Sequence, residues 1–353
     1  MHCCENCFKD KLLRSYISQN STTTGTCTIC NSEEQNLILF KELEDKFIPL
    51  IEPYSTCSEL GIDKSKGKPY HEQIIEDWSG LFKIGDISKV KLILDSIFGD
   101  LIATGMGIFK ENVVVERKYN PTEEEIPFDE KFWDKFKDEI KHENRFFLQN
   151  RIDAELLTRL LVNNSLNTIY TKGKILFRAR ISDREGHLIE RMGKPPKELA
   201  SAGRANPTGI SYLYLSSNLD TTLYEVRAAI HDFVSVAEFK ILEDINTLNL
   251  YKVTERSPFD NEDIASYLVH KEYLIRLENE LKKPVRRQDS LLDYLPTQYL
   301  TEFVKINGFD GLQFGSSLHE GGINIVLFDD NKVMPVSVSI YQVNSIKYEY
   351  SKV

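Results

Sequence analysis

Five of the six cysteines fall within the first 30 residues: Cys3, Cys4, Cys7, Cys27 and Cys30. They make two C-x-x-C pairs, Cys4/Cys7 and Cys27/Cys30, separated by 19 residues. Each such pair forms a tight turn with both sulfurs facing one way, so two pairs can close a tetrahedron of thiolates around Zn²⁺. Chance rarely sets two pairs so near one another, and a structural zinc site on Cys4, Cys7, Cys27 and Cys30 is the expectation. Cys3 is an alternative ligand. The competing reading is a group of reduced, half-buried thiols. A redox disulfide is disfavoured because no βαβ pattern surrounds the motif. Cys57 stands alone and is assigned to a core.

A second set of chemically capable residues is spread over the C-terminal half. In "KILFRAR", strand alternation puts Ile175, Phe177 and Ala179 on one face and Leu176, Arg178 and Arg180 on the other. An arginine amid apolar neighbours needs an anion, for which a phosphate is a natural partner, or else it lies on an edge strand and reaches solvent. In "GRANPTGISYLYLSS", Arg204 stands just before a turn marked by "NPTG". Tyr212 and Tyr214 then share one strand face, suited to a flat ring but more often plain sheet packing. "SSNLDTTLYEVRAAI" follows, with Ser217 and Asp220 in a capping-box pattern and an apolar stripe of Leu219, Leu223, Val226 and Ile230. Glu225 falls ~120° from that stripe, facing either solvent or a cleft. Further on, "GLQFGSS" ends in Ser316 and Ser317, hydroxyls that can serve a phosphate, and an apolar strand carries Asn324. No G-x-S-x-G elbow is present, so a hydrolase nucleophile is not indicated.

The elements that must position these groups fall into three zones. Residues 1–32 form the cysteine segment, with a short helix expected in "FKDKLLRSYI" and a polar loop after it. Residues 33–165 read as mainly helical, from "EEQNLILFKELEDKFIPLI", "VKLILDSIF" and an amphipathic stretch through Phe132, Trp133, Phe136, Ile140 and Phe146–Phe147. "TGMGIF" has two glycines of a dinucleotide fingerprint without its flanks and is read as a turn. Residues 166–353 change character. Short β-rich runs alternate irregularly with helices, which indicates an α+β domain with a mixed or largely antiparallel sheet rather than a doubly wound one.

Composition sets bounds. The 353 residues are 41% hydrophobic and 28% charged, as in ordinary globular domains. The net charge of −10 argues against general nucleic-acid binding by phosphate neutralisation. No apolar run is long enough for a transmembrane helix, and "MHCCENCFKD" is no secretory signal, so no membrane association and a cytoplasmic location are expected.

Taken in order, "LFRAR", "GRANPTGISYLYLSSNLDTTLYEVR", "YLPTQYLTEFVKINGFDGLQFGSS" and "INIVLFDD" resemble the RES domain family, named for an Arg, a Glu and a Ser. The resemblance spans about residues 166–345, roughly half of the chain. The N-terminal zone is similar to the cysteine-bearing helical extension of longer RES proteins. The resemblance implies an ADP-ribosyltransferase-like fold and cleavage of NAD⁺ between nicotinamide and ribose, with ADP-ribose passed to water, inorganic phosphate or a protein. Many members are bacterial toxins or defence effectors, so a cognate antitoxin or other regulatory protein is an expected partner, and a homo-oligomer is a further expectation. Carried over residue by residue, Arg178 matches the first-strand arginine and Arg204 the arginine of the turn. Tyr214 matches the strand tyrosine, Glu225 the glutamate and Ser316 the serine. In these roles Glu225 would stabilise an oxocarbenium-like ribose. Arg178 and Arg204 would hold the pyrophosphate, Tyr214 would stack near nicotinamide, and Ser316 and Asn324 would bind ligand hydroxyls or phosphate. The chain departs from the family at Ala205, where a tryptophan is usual, and at Gly315, where a proline is usual. Ser317 is an adjacent candidate for the serine. The sequence therefore favours an NAD⁺ glycohydrolase or phosphorylase over an ADP-ribosyltransferase acting on a protein, or over a non-enzymatic zinc-knuckle module that senses nucleotide.

Overall fold

The computed structural model describes residues 1–121, 130–158, 161, 166–251, 253, 256–260, 263–283 and 291–346. The chain divides into two compact units, Met1–Phe128 with Lys252–Tyr273, and Asp129–Tyr251 with Leu274–Val353. The boundary expected at residue 165 lies outside the described residues.

The first unit begins with strand β1 (His2–Cys4), helix α1 (Lys11–Asn20) and strands β2 (Thr23–Gly25) and β3 (Gln35–Leu39). The three strands pair in the order β1-β3-β2. Asp10 caps α1 by accepting the Leu13 N–H at 2.8 Å, and Leu13 and Ile17, four apart, face the core. Next come α2 (Glu44–Ile51), β4 (Tyr54–Thr56), β5 (Lys68–Pro69), α3 (Tyr70–Asp77), α4 (Ile87–Ile97), α5 (Gly99–Ala103) and β6 (Asn112–Val115). A second small sheet has the order β4-β6-β5. Helix α4 starts at an Asp86 cap and buries Val90, Ile93, Leu94 and Ile97, a spacing that keeps one face apolar. The expected helix over "EEQNLILF" is corrected: Leu37 and Leu39 lie on β3, which is hydrogen-bonded on both sides, and the helix starts only at Glu44. "SQNSTTTGT", expected as loop, contributes β2.

The second unit carries α6 (Glu130–His142), α7 (Ala154–Leu157), β7 (Asn167–Tyr170), β8 (Ile175–Ser182), β9 (Leu213–Ser216), α8 (Leu219–Glu225), β10 (Phe233–Ile241) and β11 (Ile245–Asn249). Helix α9 (Ile264–Lys282) begins in the first unit and ends in the second. Helix α10 (Leu295–Ile306) and strands β12 (Gly311–Gly315), β13 (Ile323–Leu327) and β14 (Val333–Gln342) complete the second unit. The eight strands form one mixed sheet in the order β14-β10-β8-β9-β13-β12-β11-β7, in which only β11/β12 is parallel. The fold is thus α+β, as expected. Leu176, Leu213, Leu215, Phe239, Ile325 and Leu327 lie in its core, each worth about 1.5–3 kcal/mol on burial.

Strands β8 and β9 meet at a single pair, Phe177↔Ser216, so the sheet parts beyond it. The amphipathic helix expected to run through Phe146–Phe147 stops at His142. The Glu139 carboxylate accepts the N–H groups of Gln149 and Asn150 at 2.6 and 2.8 Å and turns the chain back, leaving Phe146 and Phe147 exposed at 91% and 88%. Among the described residues no helix is long and apolar enough to cross a membrane.

Candidate active site

A pocket of about 370 Å³ opens where the sheet parts. Arg178, Arg204, Tyr214, Glu225 and Asn324 line it, together with Ser216, Thr222, Tyr294 and Phe314. Arg178 extends from β8 and donates through Nη1 to the Tyr214 carbonyl at 3.1 Å, a group that the parted strands leave without a ladder partner. Among the described residues its buried Nε has no hydrogen-bond partner. Burial pushes the Arg178 pKa down to about 10, which still leaves the group cationic at neutral pH. Arg204 donates to the carbonyls of Leu281 and, at 2.7 Å, Lys283, at the C-terminal end of α9. Its guanidinium lies 5.7 Å from the Phe314 ring centre. Burial lowers its pKa, and the Glu225 charge opposes that shift.

Glu225 occupies the last position of α8. Its Oε1 accepts from Ser316 Oγ at 2.6 Å and from Asn324 Nδ2 at 2.7 Å. Among the described residues Oε2 has no protein partner. Asn324 Oδ1 in turn accepts from Ser216 Oγ at 3.3 Å, across the pair Asn324↔Ser216 of β13 and β9. The Ser316 hydroxyl accepts the N–H groups of Leu318 and His319, both at 3.1 Å. Ser316, not Ser317, is therefore the hydroxyl brought to the carboxylate. Ser316 is 5% exposed and is not among the residues that line the pocket; its hydroxyl donates to Glu225.

Two local expectations are corrected. The cap of α8 is Asn218, whose side chain accepts the Thr221 N–H at 2.8 Å, rather than a Ser217/Asp220 box. The helix ends at Glu225, with Arg227 at φ 50°, so the apolar stripe stops before the exposed Ile230. Of the two tyrosines, only Tyr214 reaches the pocket, while Tyr212 packs on Phe328 at 5.1 Å. The Tyr214 hydroxyl is itself occupied. It donates to Asn206 Oδ1 at 2.7 Å and accepts the Ala205 N–H at 3.1 Å, and burial raises its pKa to about 12. Ala205 is fully buried and does not line the pocket. Phe314 and Tyr294 were missed by the sequence reading. Phe314 pairs with Asn324 in register, so strand alternation from Ser316 could have found it; Tyr294 carries no such signal.

In the first unit, Cys4, Cys7, Cys27 and Cys30 place their sulfurs within 4.8 Å of one another. Cys4 lies 3.5 Å from Cys30, and Cys7 lies 3.6 Å from Cys27. A tetrahedral ion with Zn–S bonds of about 2.3 Å requires S···S edges of roughly 3.8 Å, so the donor set fits zinc. Asn31 adopts φ 58°, a left-handed conformation that asparagine tolerates, and its N–H returns to the Cys27 carbonyl at 3.0 Å. Hydrogen bonding from the neighbouring thiols, Cys4 first, pulls Cys27 far below the thiol range, and Cys7 is pushed far above it by Cys27. Cys3 is buried outside the set, as is Cys57.

Residues 175–350 match the RES domain family. No curated protein matches the chain. Among solved structures, the chain is similar to one in the crystal structure of the M. tuberculosis MbcT–MbcA toxin–antitoxin complex. That likeness has 14% identity and a TM-score of 0.35, over 53% of this chain and 92% of the other.

Proposed function

Because its C-terminal half belongs to the RES domain family, we propose that this chain binds NAD⁺ and cleaves the bond between nicotinamide and ribose. The observation that carries the reading is the Glu225 carboxylate. One of its oxygens is tied by Ser316 and Asn324 and the other is free, in a pocket lined by two guanidinium groups. Cleavage leaves both bonding electrons on the pyridinium nitrogen, which departs as neutral nicotinamide. Positive charge then develops on the ribose carbon and ring oxygen, and a fixed carboxylate beside them stabilises it. Because Ser316 and Asn324 hold Glu225 beforehand, little reorganisation is needed as that charge appears. The Arg178 guanidinium, which lines the pocket, takes the pyrophosphate, and the Arg204 cation adds to the field. Water addition gives ADP-ribose and a proton; phosphate addition gives a phosphorylated ADP-ribose.

The biological role consistent with this chemistry is a toxin or defence effector that depletes cytoplasmic NAD⁺ and is restrained by an antitoxin or other regulatory protein. The four cysteines are assigned to structural Zn²⁺, which the proposed cleavage does not use. The test is to incubate the full chain with NAD⁺, with and without inorganic phosphate, and to quantify nicotinamide. Glu225→Gln should release it on the order of 10²–10³-fold more slowly. Equal rates for wild type and variant would sink the reading, and phosphate dependence separates phosphorylase from hydrolase. Transfer of label from NAD⁺ to a polypeptide would move the assignment to protein ADP-ribosylation.

A further inference from the structure

We infer that Gln298 is a positioning residue that fixes the arginine-bearing turn of the pocket. The inference rests on the proposed reading of that pocket as a site for an anionic dinucleotide. Gln298 lies in α10, is 6% exposed and does not line the pocket. Its Nε2 donates to the Gly203 carbonyl at 2.8 Å and to the Asn206 carbonyl at 2.9 Å. These carbonyls mark the two ends of the turn Gly203–Asn206, which is also closed by the Gly203 N–H to Asn206 O bond of 2.8 Å. A primary amide carries two N–H donors on one nitrogen, so a single side chain can hold both ends. Thr297, its neighbour, donates to the Arg204 carbonyl at 2.7 Å.

The rest of the turn is equally constrained. Asn206 Nδ2 serves the carbonyls of Ser201, Pro207 and Ile210. Gly203 has no room for a side chain, since a Cβ would lie 2.7 Å from Asn206 Oδ1 and 2.8 Å from Tyr214 Oη. Arg204 is the one long side chain on this turn, and it reaches the pocket wall beside Phe314. The two amide hydrogens of Gln298 thus set where the Arg204 backbone sits, and through it where the guanidinium sits. Removing them takes a donor from the half-buried Gly203 carbonyl and from the buried Asn206 carbonyl, whose loss water does not make good.

The test is a double-mutant cycle on the full chain, with ADP-ribose as the probe in calorimetry. Gln298→Met keeps the side-chain length and removes both donors; Arg204→Lys keeps a charge and removes the fork. Gln298→Met should weaken ADP-ribose binding about 10-fold in the wild-type background and less than about 2-fold in the Arg204→Lys background. KM for NAD⁺ should rise in step, with kcat changed less. If Gln298→Met does not fold, the same cycle is run with Gln298→Leu, and failure of both to fold would make Gln298 a stability residue and overturn the inference. Wild-type affinity in the folded variant, equal factors in both backgrounds, or a wild type that binds no ADP-ribose would also overturn it. A wild type that shows the expected cycle but releases no nicotinamide removes the cleavage reading alone.

Discussion

At the scale of the residue, the pocket separates two kinds of polar group. Among the described residues Glu225 and Arg178 each keep an atom without a protein partner, the carboxylate Oε2 and the buried Nε. Ser316 and Tyr214 do not, since their hydroxyls both donate and accept within the protein. Glu225 Oε2 is left for a ligand, the Ser316 hydroxyl holds Glu225, and the Tyr214 hydroxyl holds the Ala205–Asn206 turn. This difference predicts a graded response to substitution. Ser316→Ala removes one of two bonds to Glu225 Oε1 and leaves the Leu318 and His319 N–H groups without their acceptor. A hydrogen bond to a charged group is worth about 1.5–3 kcal/mol, so kcat for nicotinamide release should fall on the order of 10–100-fold. KM should stay within about 3-fold if Ser316 only orients the carboxylate, whereas a ligand contact would raise it. Steady-state kinetics of Ser316→Ala beside Glu225→Gln decide the matter.

At the scale of the element, the loop 316–322 carries one of the two side chains that hold Glu225. Thr221 Oγ1 in α8 lies 2.8 Å from His319 Nδ1, and the His319 ring stacks on Tyr224 at 5.0 Å with a 7° tilt. Gly322 lies so close that a Cβ would meet Thr221 Oγ1 at 2.6 Å and the His319 carbonyl at 3.0 Å. Gly322→Ala should therefore push the loop off α8, costing about 1–3 kcal/mol and lowering turnover along with it. Urea unfolding and nicotinamide release, measured together, test this; a fully active and equally stable variant would contradict it. A different loop, after α6, answers to pH. Backbone N–H donation from Gln149 and Asn150 holds the Glu139 carboxyl below its usual value of 4.5. A lowered folded-state pKa gives stability that is complete above the unfolded value and fades as pH falls below it. Protease cleavage beside Phe146 and Phe147 should thus rise only below about pH 4.5, and Glu139→Gln should show it already at pH 7. The strands around the pocket were legible in the sequence because alternation and turn signals are local. The end of α8 was not, because a seven-residue helix stops where tertiary contacts let it. The commitment of Ser316 to Glu225 was hidden for the same reason, as the two residues lie 91 positions apart.

At the scale of the whole molecule, chemistry is divided between the units. Arg178, Arg204, Tyr214, Glu225, Ser316 and Asn324 all belong to the second unit, and all four clustered cysteines belong to the first. The family resemblance was read from the ordered arginine, glutamate and serine segments, and the cysteine cluster from spacing alone. How strands β8 and β9 part to make a pocket follows from long-range pairing that no local pattern encodes. Among the described residues the sheets of the first unit are two small three-stranded ones, so a metal that joins Cys4–Cys7 to Cys27–Cys30 would supply part of its folding free energy. Freshly purified protein should hold about one zinc per chain. Chelation, or Cys27→Ser, should lower the unfolding temperature of the first unit. A metal content well below one, or an unfolding temperature that ignores the chelator, would remove the assignment. Nicotinamide release, corrected for the fraction of second unit still folded, should survive, because none of the groups placed around the ribose depends on a metal. Loss of that release with the second unit intact by hydrogen exchange would show that the cysteine site governs the pocket.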